Sequence, residues 1–414
     1  MQSIRHTTFG NGLQLVTESI PDVRTTAIEW IVPAGVASNE HDGDSVLLTE
    51  LMFRGAGDLT DKEHSLLLDH LGVRRDITCG SRLLRLHALS LGSRVTDAIG
   101  PVFDMFLCPK LPSDSLGPSI QLALQSIDSL QDNPQKLVGV SLNKHHFPEP
   151  FNRSTYGSRS AIESATIERV RYVYDNFVCP SNSILSIAGD LDHNEIKTLV
   201  ERQVSCWAGG DILVREGAAP SRGVHHLEHD SSQVHIGLAI DAPNPSDEDS
   251  LLEKVAISVF GGASSSRLFT EVRQKRSLCY SVHALYQASK DNAAMKVRAG
   301  TTPDRAKETI DVIIDQLCLL QKGITRDEFE RTVTKIRAST VMSGESTVAR
   351  AGSLLGDMYA LGRTRTLKEK LDELTSITLD DVNEYLKKRV FGTMTLVYLG
   401  PDPIEIDESR LRNL

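Results

Sequence analysis

The sequence lacks several features that assign a protein to a class at first sight. No stretch approaches the roughly 18 consecutive apolar residues of a membrane-spanning helix. The six cysteines are scattered without a Cys-x-x-Cys pair, which is typical of free thiols in a reducing compartment. The first residues contain neither an apolar leader core nor an Arg- and Ser-rich amphipathic stretch. We therefore expect a cytoplasmic protein, unless a leader segment precedes the sequence.

The sequence also has fewer basic than acidic residues. The 45 Lys and Arg residues are outnumbered by 55 Asp and Glu residues, which gives a net charge of −10. Nucleic-acid-binding proteins more often present a basic face, so we do not expect phosphate backbones among the partners. The rest of the composition, 40% apolar and 24% charged, is ordinary for a globular protein. A chain of 414 residues can form two or three domains with sizeable cores.

The order of apolar periodicities divides the chain into two similar halves. In the first half, strands are predicted near 11–18, 25–35, 76–91 and 182–191, and helices near 45–53, 61–71, 94–107, 113–131 and 162–177. In the second half, strands are predicted near 232–240, 281–289, 293–301 and 393–400, and helices near 246–261, 265–276, 304–321, 326–342, 345–361, 367–374 and 379–388. Residues 208–224 are rich in Gly, Ala and Pro and predict a linker between domains 1–207 and 225–414.

Two segments carry recognisable motifs. Residues 35–57 read GVASNEHDGDSVLLTELMFRGAG, and residues 261–284 read GGASSSRLFTEVRQKRSLCYSVHA. They resemble the two signature regions of the pitrilysin/insulinase family of zinc metallopeptidases. Further matches, such as FGNGLQLV, IAGDLD and LGPDP, extend the resemblance over nearly the whole chain. The resemblance implies an α+β fold of two similar α/β halves, each a mainly antiparallel sheet packed with helices, which form half of a clam-shell chamber.

The first region keeps the family's frame without its metal-binding residues. In a helix, His-x-x-Glu-His places two imidazoles about 6 Å apart along the axis, where both can bind one zinc beside the Glu as general base. The resemblance places Val46 and Glu50 at the two histidine positions and Thr49 at the base position. It places Ser126 at the position of the third ligand. Because a catalytic zinc needs three protein ligands, we expect no metal site and no catalytic residue in this chain.

A literal His-x-x-Glu-His does occur elsewhere, at His225–His229. It follows the predicted linker and leads into a predicted strand. In an extended segment these two histidines lie about 13 Å apart, too far to share one ion. We therefore interpret this segment as a polar edge strand.

The second region is intact. Arg273 and Tyr280 stand seven positions apart, and the resemblance implies that this pair binds substrate. In the family the Arg hydrogen-bonds a substrate carbonyl oxygen, and the Tyr hydroxyl stabilises the developing oxyanion, in keeping with the chemistry of a guanidinium and a phenol. From the residues alone, Arg273 could equally be a surface residue and Tyr280 could pack on its neighbours. Lys275 and Arg276 beside the pair are interpreted as solvated.

These motifs predict a non-catalytic, substrate-binding subunit of a heterodimeric zinc metallopeptidase that cleaves peptides or unfolded segments. A homologous partner would bind the zinc, and this chain would bind no cofactor. The short Gly261–Ala263 loop favours the bacterial heterodimers over the glycine-rich processing-peptidase subunit. The alternatives are a structural assembly subunit of the respiratory-complex core-protein type and, more weakly, a metal enzyme that uses His225 and His229. The isolated chain could form a homodimer.

Overall fold

The computed structural model describes residues 3–210 and 217–412. These residues form two compact units, and each unit is built from three separate segments of the chain. Unit 1 contains residues up to 129 together with 149–218 and 342–366, and unit 2 contains 130–148, 219–341 and 367–414. In the part of the chain that the structure describes, no helix is long and apolar enough to cross a membrane.

Unit 1 contains a six-stranded sheet in the order β1-β2-β8-β3-β7-β6 and a small β4-β5 ribbon. Its strands are β1 (Ser3–Thr8), β2 (Gln14–Ser19), β3 (Thr25–Val32), β4 (Gly55–Ala56), β5 (Leu59–Thr60), β6 (Arg74–Cys79), β7 (Leu84–Leu91) and β8 (Ile184–Gly189). In the large sheet, neighbouring strands are antiparallel except for β2 and β8, which run parallel.

In the described part of unit 1, seven helices bury one apolar face of this sheet. They are α1 (Asp44–Met52), α2 (Asp61–His70), α3 (Val95–Leu107), α4 (Leu116–Asp128), α6 (Arg159–Glu163), α7 (Ile167–Phe177) and α8 (His193–Val204), and unit 1 also contains α12 (Thr347–Leu361). Trp30 of β3 lies at the centre of this core, with its ring 4.7 Å from that of Phe103 and 5.3 Å from that of Trp207. α8 shows why these segments are helical, because Ile196, Val200 and Val204 recur every four residues on its buried side.

Unit 2 contains a five-stranded sheet in the order β11-β12-β10-β13-β9. Its strands are β9 (Gly223–Glu228), β10 (Val234–Asp241), β11 (Cys279–Ala288), β12 (Ala293–Thr301) and β13 (Thr395–Gly400). Its helices are α5 (Pro134–His146), α9 (Ser250–Gly261), α10 (Ala306–Gln321), α11 (Arg326–Gly344, which continues into unit 1), α13 (Leu367–Ser376) and α14 (Leu379–Lys388). Here β9 and β13 run parallel and the other neighbours are antiparallel.

The two sheets share one strand order. If β6, β7, β3, β8 and β2 of unit 1 are matched with β11, β12, β10, β13 and β9 of unit 2, each strand has equivalent neighbours and the single parallel pair falls at the same place. The predicted α+β fold of two similar, mainly antiparallel halves is thus confirmed.

Each sheet also carries a helix from a distant segment on its second face. In unit 1, α12 packs Leu354 and Leu355 against Val16, Ile31 and Ile184. In unit 2, the helix in the equivalent place is α5, which covers part of β10 and β13.

A buried ion pair joins α12 to the sheet of unit 1. The guanidinium of Arg350 donates to both carboxylate oxygens of Glu18 at 2.8 and 2.9 Å, and both side chains are fully buried. Removing one partner of such a pair leaves an uncompensated buried charge, so this contact ties α12 to β2.

Two sequence expectations differ from the structure. The helix predicted over 162–177 is broken into α6 and α7, because Thr166 is extended and caps α7 by accepting a hydrogen bond from the N–H of Arg169. The helix predicted over 265–276 contains a π-helical turn, Phe269–Gln274.

The domain limits of 1–207 and 225–414 stay a prediction, and the compact units depart from them at 130–148 and 342–366. Within the predicted linker 208–224, residues 211–216 lie outside the described residues.

Candidate functional site

The first candidate segment is α1, which carries the frame of the zinc motif. Its first residue is tied to α7, because Asp44 receives two hydrogen bonds from Arg169 at 2.6 and 3.2 Å. Ser45 donates to the carbonyl of Gly35 at 3.1 Å and accepts from the side chain of Asn39 at 2.7 Å. The segment is therefore fixed at its N-terminal end by contacts within unit 1.

The side chains at the four motif positions do not form a metal site. Val46 packs on the core, and the hydroxyl of Thr49 donates back to the Ser45 carbonyl at 2.9 Å. Glu50 is half-buried on the same helix. Ser126 lies on α4, which packs against α1, and it is exposed with its hydroxyl donating to the Leu122 carbonyl.

The side chains that could bind a metal ion do not form a cluster in the described part of the chain. Within residues 3–210 and 217–412, no group of three or more His, Cys, Asp or Glu side chains is placed to hold a metal ion. Whether the protein carries zinc remains a prediction to be measured.

In the literal His-x-x-Glu-His, residues 225–228 lie on β9 and His229 follows directly after it, so the extended interpretation of this segment is confirmed. His225 contacts the Ser221 carbonyl through Nε2 at 2.7 Å and stacks on His145 of α5 at 3.6 Å. His229 contacts the Gln131 carbonyl instead, at 3.3 Å. These two histidines thus have separate partners and do not converge on one point.

The second candidate segment, residues 269–280, has three backbone irregularities. In the π-helical turn, the N–H of Lys275 donates to the carbonyl of Thr270, five residues earlier, at 2.9 Å. Ser277 adopts a left-handed conformation with φ 52°. The register between β11 and β12 shifts at Tyr280, which is the extra residue of a β-bulge. Such turns and bulges redirect side chains and are frequent at functional sites.

Both predicted binding side chains project to solvent. Tyr280 is 67% exposed, so the alternative in which it packs against its neighbours does not describe its environment. Its hydroxyl has no hydrogen-bond partner among the described residues. Arg273 is exposed as well, with its guanidinium 4.8 Å from the ring centre of Phe269. The two side chains are therefore free to contact a bound molecule.

The cations next to Arg273 form ion pairs, whereas Arg273 does not among the described residues. Lys275 and Arg276 each form an ion pair with Glu271 at 2.7 Å. These contacts lower the pKa of Glu271, and the contact with Lys275 has the larger effect. Arg273 has no carboxylate partner in the described part of the chain. Burial raises the pKa of Cys279, the residue before Tyr280, to about 11, with a smaller opposing effect of Arg273. The segment thus offers hydrogen-bond donors and no activated thiolate.

The loop between Arg273 and Tyr280 is held rigidly. The N–H groups of Ser277 and Leu278 donate to the carbonyls of Arg273 and Val272 at 3.1 and 2.9 Å. The Leu278 carbonyl accepts from the buried hydroxyl of Thr301 at 2.5 Å, and Arg305 binds the Ser277 carbonyl at 2.7 Å. These contacts fix the backbone at both ends of the pair, which is the preorganisation that a binding site needs.

Helix α9 adds to this support through a glycine. A Cβ atom at Gly261 would lie 2.4 Å from the backbone nitrogen of Ala284. Only glycine permits α9 to approach β11 so closely, and the approach fixes the strand that carries Tyr280.

The fold and the second segment can now be compared with known proteins. The profile described as Peptidase M16 inactive domain matches residues 164–336. An uncharacterized zinc protease from Streptomyces coelicolor is 25% identical over 415 residues, covering 96% of this chain and 90% of that protein. The uncharacterized zinc protease YmxG from Bacillus subtilis is 23% identical over 407 residues, covering 96% of this chain and 98% of that one.

Solved structures agree over the whole length. A peptidase M16 inactive domain from Pseudomonas fluorescens superposes with a TM-score of 0.89 at 19% identity, covering 98% of this chain and 100% of that one. The chain is thus similar to peptidase M16 proteins, by the profile over residues 164–336 and by its fold over nearly the whole length. A protease from Helicobacter pylori has the same fold, with a TM-score of 0.88 at 17% identity over 97% and 100% of the two chains. The resemblance to the pitrilysin/insulinase peptidases is thus confirmed.

Two basic residues near the second segment were not predicted from the sequence. Lys296 and Arg298 lie on β12, in the apolar stretch AAMKVRAGT. The signal was present, because two basic residues separated by one apolar residue share one face of a strand. That α5 lies against this face could not be read from the sequence, since α5 belongs to a distant segment.

Proposed function

We propose that this M16 protein is the non-catalytic, substrate-binding subunit of a heterodimeric zinc metallopeptidase that cleaves peptides or unfolded segments. A homologous M16 chain with an intact His-x-x-Glu-His would supply the zinc and the general base. This chain would supply Arg273 and Tyr280. The observation that carries the proposal is the rigid, irregular segment that presents these two donors to solvent.

The chemistry of the two side chains suits this role. A guanidinium can hold a substrate carbonyl, and a phenolic hydroxyl can stabilise the oxyanion that develops when water attacks it. Neither group needs a metal of its own. Donors on a backbone that is already fixed lose little conformational entropy on binding, which makes them effective in a transition state.

The α1 segment supports the proposal that a partner chain, and not this one, supplies the zinc. It retains the helix and its anchoring contacts, but Val46 and Thr49 cannot bind zinc or accept a proton, and Glu50 alone is a poor site. The relatives from Streptomyces coelicolor and Bacillus subtilis are named zinc proteases. Conversion of one such chain into a binding subunit would account for both segments.

The test is peptide hydrolysis by the complex of this chain with a zinc-bearing M16 chain. Arg273→Ala and Tyr280→Phe are each expected to lower kcat/KM by about 10²–10³, the loss seen when one oxyanion donor is removed. The Tyr280→Phe change removes only a hydroxyl, so the fold should be unaffected. Lys275→Ala is the matched control, because Lys275 lies between the pair but binds Glu271, and it should change kcat/KM by about twofold or less.

The complex must remain assembled for this comparison, which size-exclusion chromatography can verify. An unchanged kcat/KM for both variants in an intact complex would refute the assigned role. It would favour the structural assembly subunit, in which the pair is a remnant of the fold.

A further inference from the structure

The sheet of unit 2 has a second face with an unusual distribution of charge. Alternate residues of β10, β11 and β12 lie in the hydrophobic core, among them Ile236, Val282 and Val297. Their neighbours must point to the opposite face. These neighbours include His235, Ser281, His283, Lys296 and Arg298, and the cross-strand register places His283 directly opposite Arg298.

The two cations on this face lack carboxylate partners in the described part of the chain. The ammonium of Lys296 is buried and contacts only neutral groups, the side-chain carbonyls of Asn143 at 2.5 Å and Gln287 at 3.0 Å and the ring of Phe147 at 4.9 Å. Arg298 is half-buried and forms no ion pair there, and its Nε is buried without a hydrogen-bond partner.

Two other polar groups on this face, His235 and Asp241, also leave its positive charge without a neutralising acid among the described residues. His235 is 8% exposed, and its Nδ1 has no hydrogen-bond partner. Asp241, at the far end of β10, is already bound by Arg222 at 2.5 and 2.8 Å. Burial lowers the pKa of His283, and the nearby positive charge of Arg298 lowers it further.

Arg298 lies between helix α5 and the edge strand β11. A Cβ atom at Gly139 of α5 would lie 3.1 Å from an Arg298 terminal nitrogen, so the guanidinium lies directly against the helix backbone. On its other side it faces His283 of the edge strand β11, and His283 is exposed. A partly desolvated guanidinium with a spare donor favours a planar anion that can accept two hydrogen bonds.

We propose that Arg298, with His283 beside it, binds a carboxylate of the peptide substrate and so gives the protein a preference for acidic peptides. The carboxylate belongs either to an acidic side chain or to the peptide's C-terminus. This inference rests on the proposed function, since it assigns a specificity site to the same binding surface.

The β-bulge connects this site to Tyr280. Cys279 and Val282 both lie in the core although they are three positions apart, which regular alternation forbids. The extra residue restores the alternation, so Tyr280 and Ser281 both point away from the core, towards the side of His283. Tyr280 and His283 are separated by about 10 Å at 3.3 Å per residue. An extended substrate held by Tyr280 would thus place its carboxylate about three residues away.

The experiment measures binding of three fluorescently labelled, unstructured peptides to the full chain by anisotropy. The reference peptide has an internal Gln and a C-terminal amide. The second replaces Gln with Glu, and the third replaces the amide with a free carboxylate, which distinguishes the two sources. We expect at least one carboxylate peptide to bind about tenfold more tightly than the reference, as a charged hydrogen bond provides.

Arg298→Gln should abolish this preference, so that the carboxylate peptides bind no more tightly than the reference peptide. Arg326→Gln, which removes an exposed arginine from α11, should keep the preference. If Arg298→Gln fails to fold by circular dichroism, Arg298→Lys replaces it, and a preference reduced by about threefold or more supports the proposal.

The outcomes separate the two claims. Equal binding of all three peptides by the native chain overturns the carboxylate site and leaves the proposed function standing. A preference that survives in folded Arg298→Gln, or is unchanged in Arg298→Lys when that variant replaces it, also overturns the site. Failure of every peptide to bind overturns both the site and the substrate-binding role.

Discussion

At the scale of single residues, Lys296 is the most unusual side chain of unit 2. It is 2% exposed, and its contacts are with neutral acceptors and an aromatic ring. Burial, with a smaller contribution from Arg298, lowers its pKa to about 8. The folded protein therefore holds this charge at a cost in stability at neutral pH.

This cost predicts a pH dependence above neutrality. Between pH 8 and 10.5 the unfolded lysine still binds a proton that the folded lysine has lost, so stability rises with pH across this window. The free energy of unfolding of the native protein, relative to Lys296→Met, should increase by about 3 kcal/mol from the lower to the upper limit. Urea denaturation at several pH values measures it.

Comparison with Lys296→Met cancels the other groups that titrate between these limits. If the two proteins changed in parallel with pH, the lysine would have an ordinary environment.

Some residues of the candidate sites could be identified from the sequence, and others could not. Arg273 and Tyr280 could be named as candidates because their spacing and neighbours match a family pattern, and their role stays a prediction. Their backbone irregularities were not, since no composition rule marks a π-helical turn or a left-handed Ser277. Arg298 was not predicted either, because its isolation from carboxylates depends on which residues of other strands and of α5 surround it.

At the scale of elements, α1 is a helix, so its motif positions have the spacing that a helical zinc motif needs. Val46, Thr49 and Glu50 are at positions i, i+3 and i+4 of a helix that packs against α4, where Ser126 lies. Restoring the motif with Val46→His, Thr49→Glu, Glu50→His and Ser126→Glu should therefore create a zinc site of about one ion per chain. Mass spectrometric metal analysis after dialysis measures the zinc content.

The native chain is expected to retain far less zinc in the same assay. A variant of the native chain with His225→Ala and His229→Ala should give the same low value, because those histidines lie on β9 and just after it, with separate partners. A folded fourfold variant without zinc would show that the frame around α1 has changed beyond the four side chains.

Elements were predicted best where local signals agreed. α14 begins and ends at the predicted residues, because Val382, Tyr385 and Leu386 form its buried face and Thr378 begins it with a capping box. The break between α6 and α7 was missed, since a single capping threonine interrupts an otherwise periodic stretch. α5 was not predicted, because its apolar face meets strands far away in the sequence.

At the scale of the whole molecule, the two sheets repeat one strand order, and each unit takes a helical segment from outside its main part of the chain. The repetition was visible in the sequence as a recurring order of strands and helices. The placement of 130–148 and 342–366 was not, because a helix pattern specifies an apolar face but not the sheet that the face covers.

The central claim is that this chain contributes substrate binding and leaves zinc chemistry to a partner. The most direct test is the rate of peptide hydrolysis by this chain alone, by a zinc-bearing M16 partner alone, and by an equimolar mixture. We predict no hydrolysis by this chain alone and a kcat/KM for the mixture at least about 10² above that of the partner alone. Zinc-dependent hydrolysis by this chain alone, or a mixture no faster than the partner alone, would contradict the account.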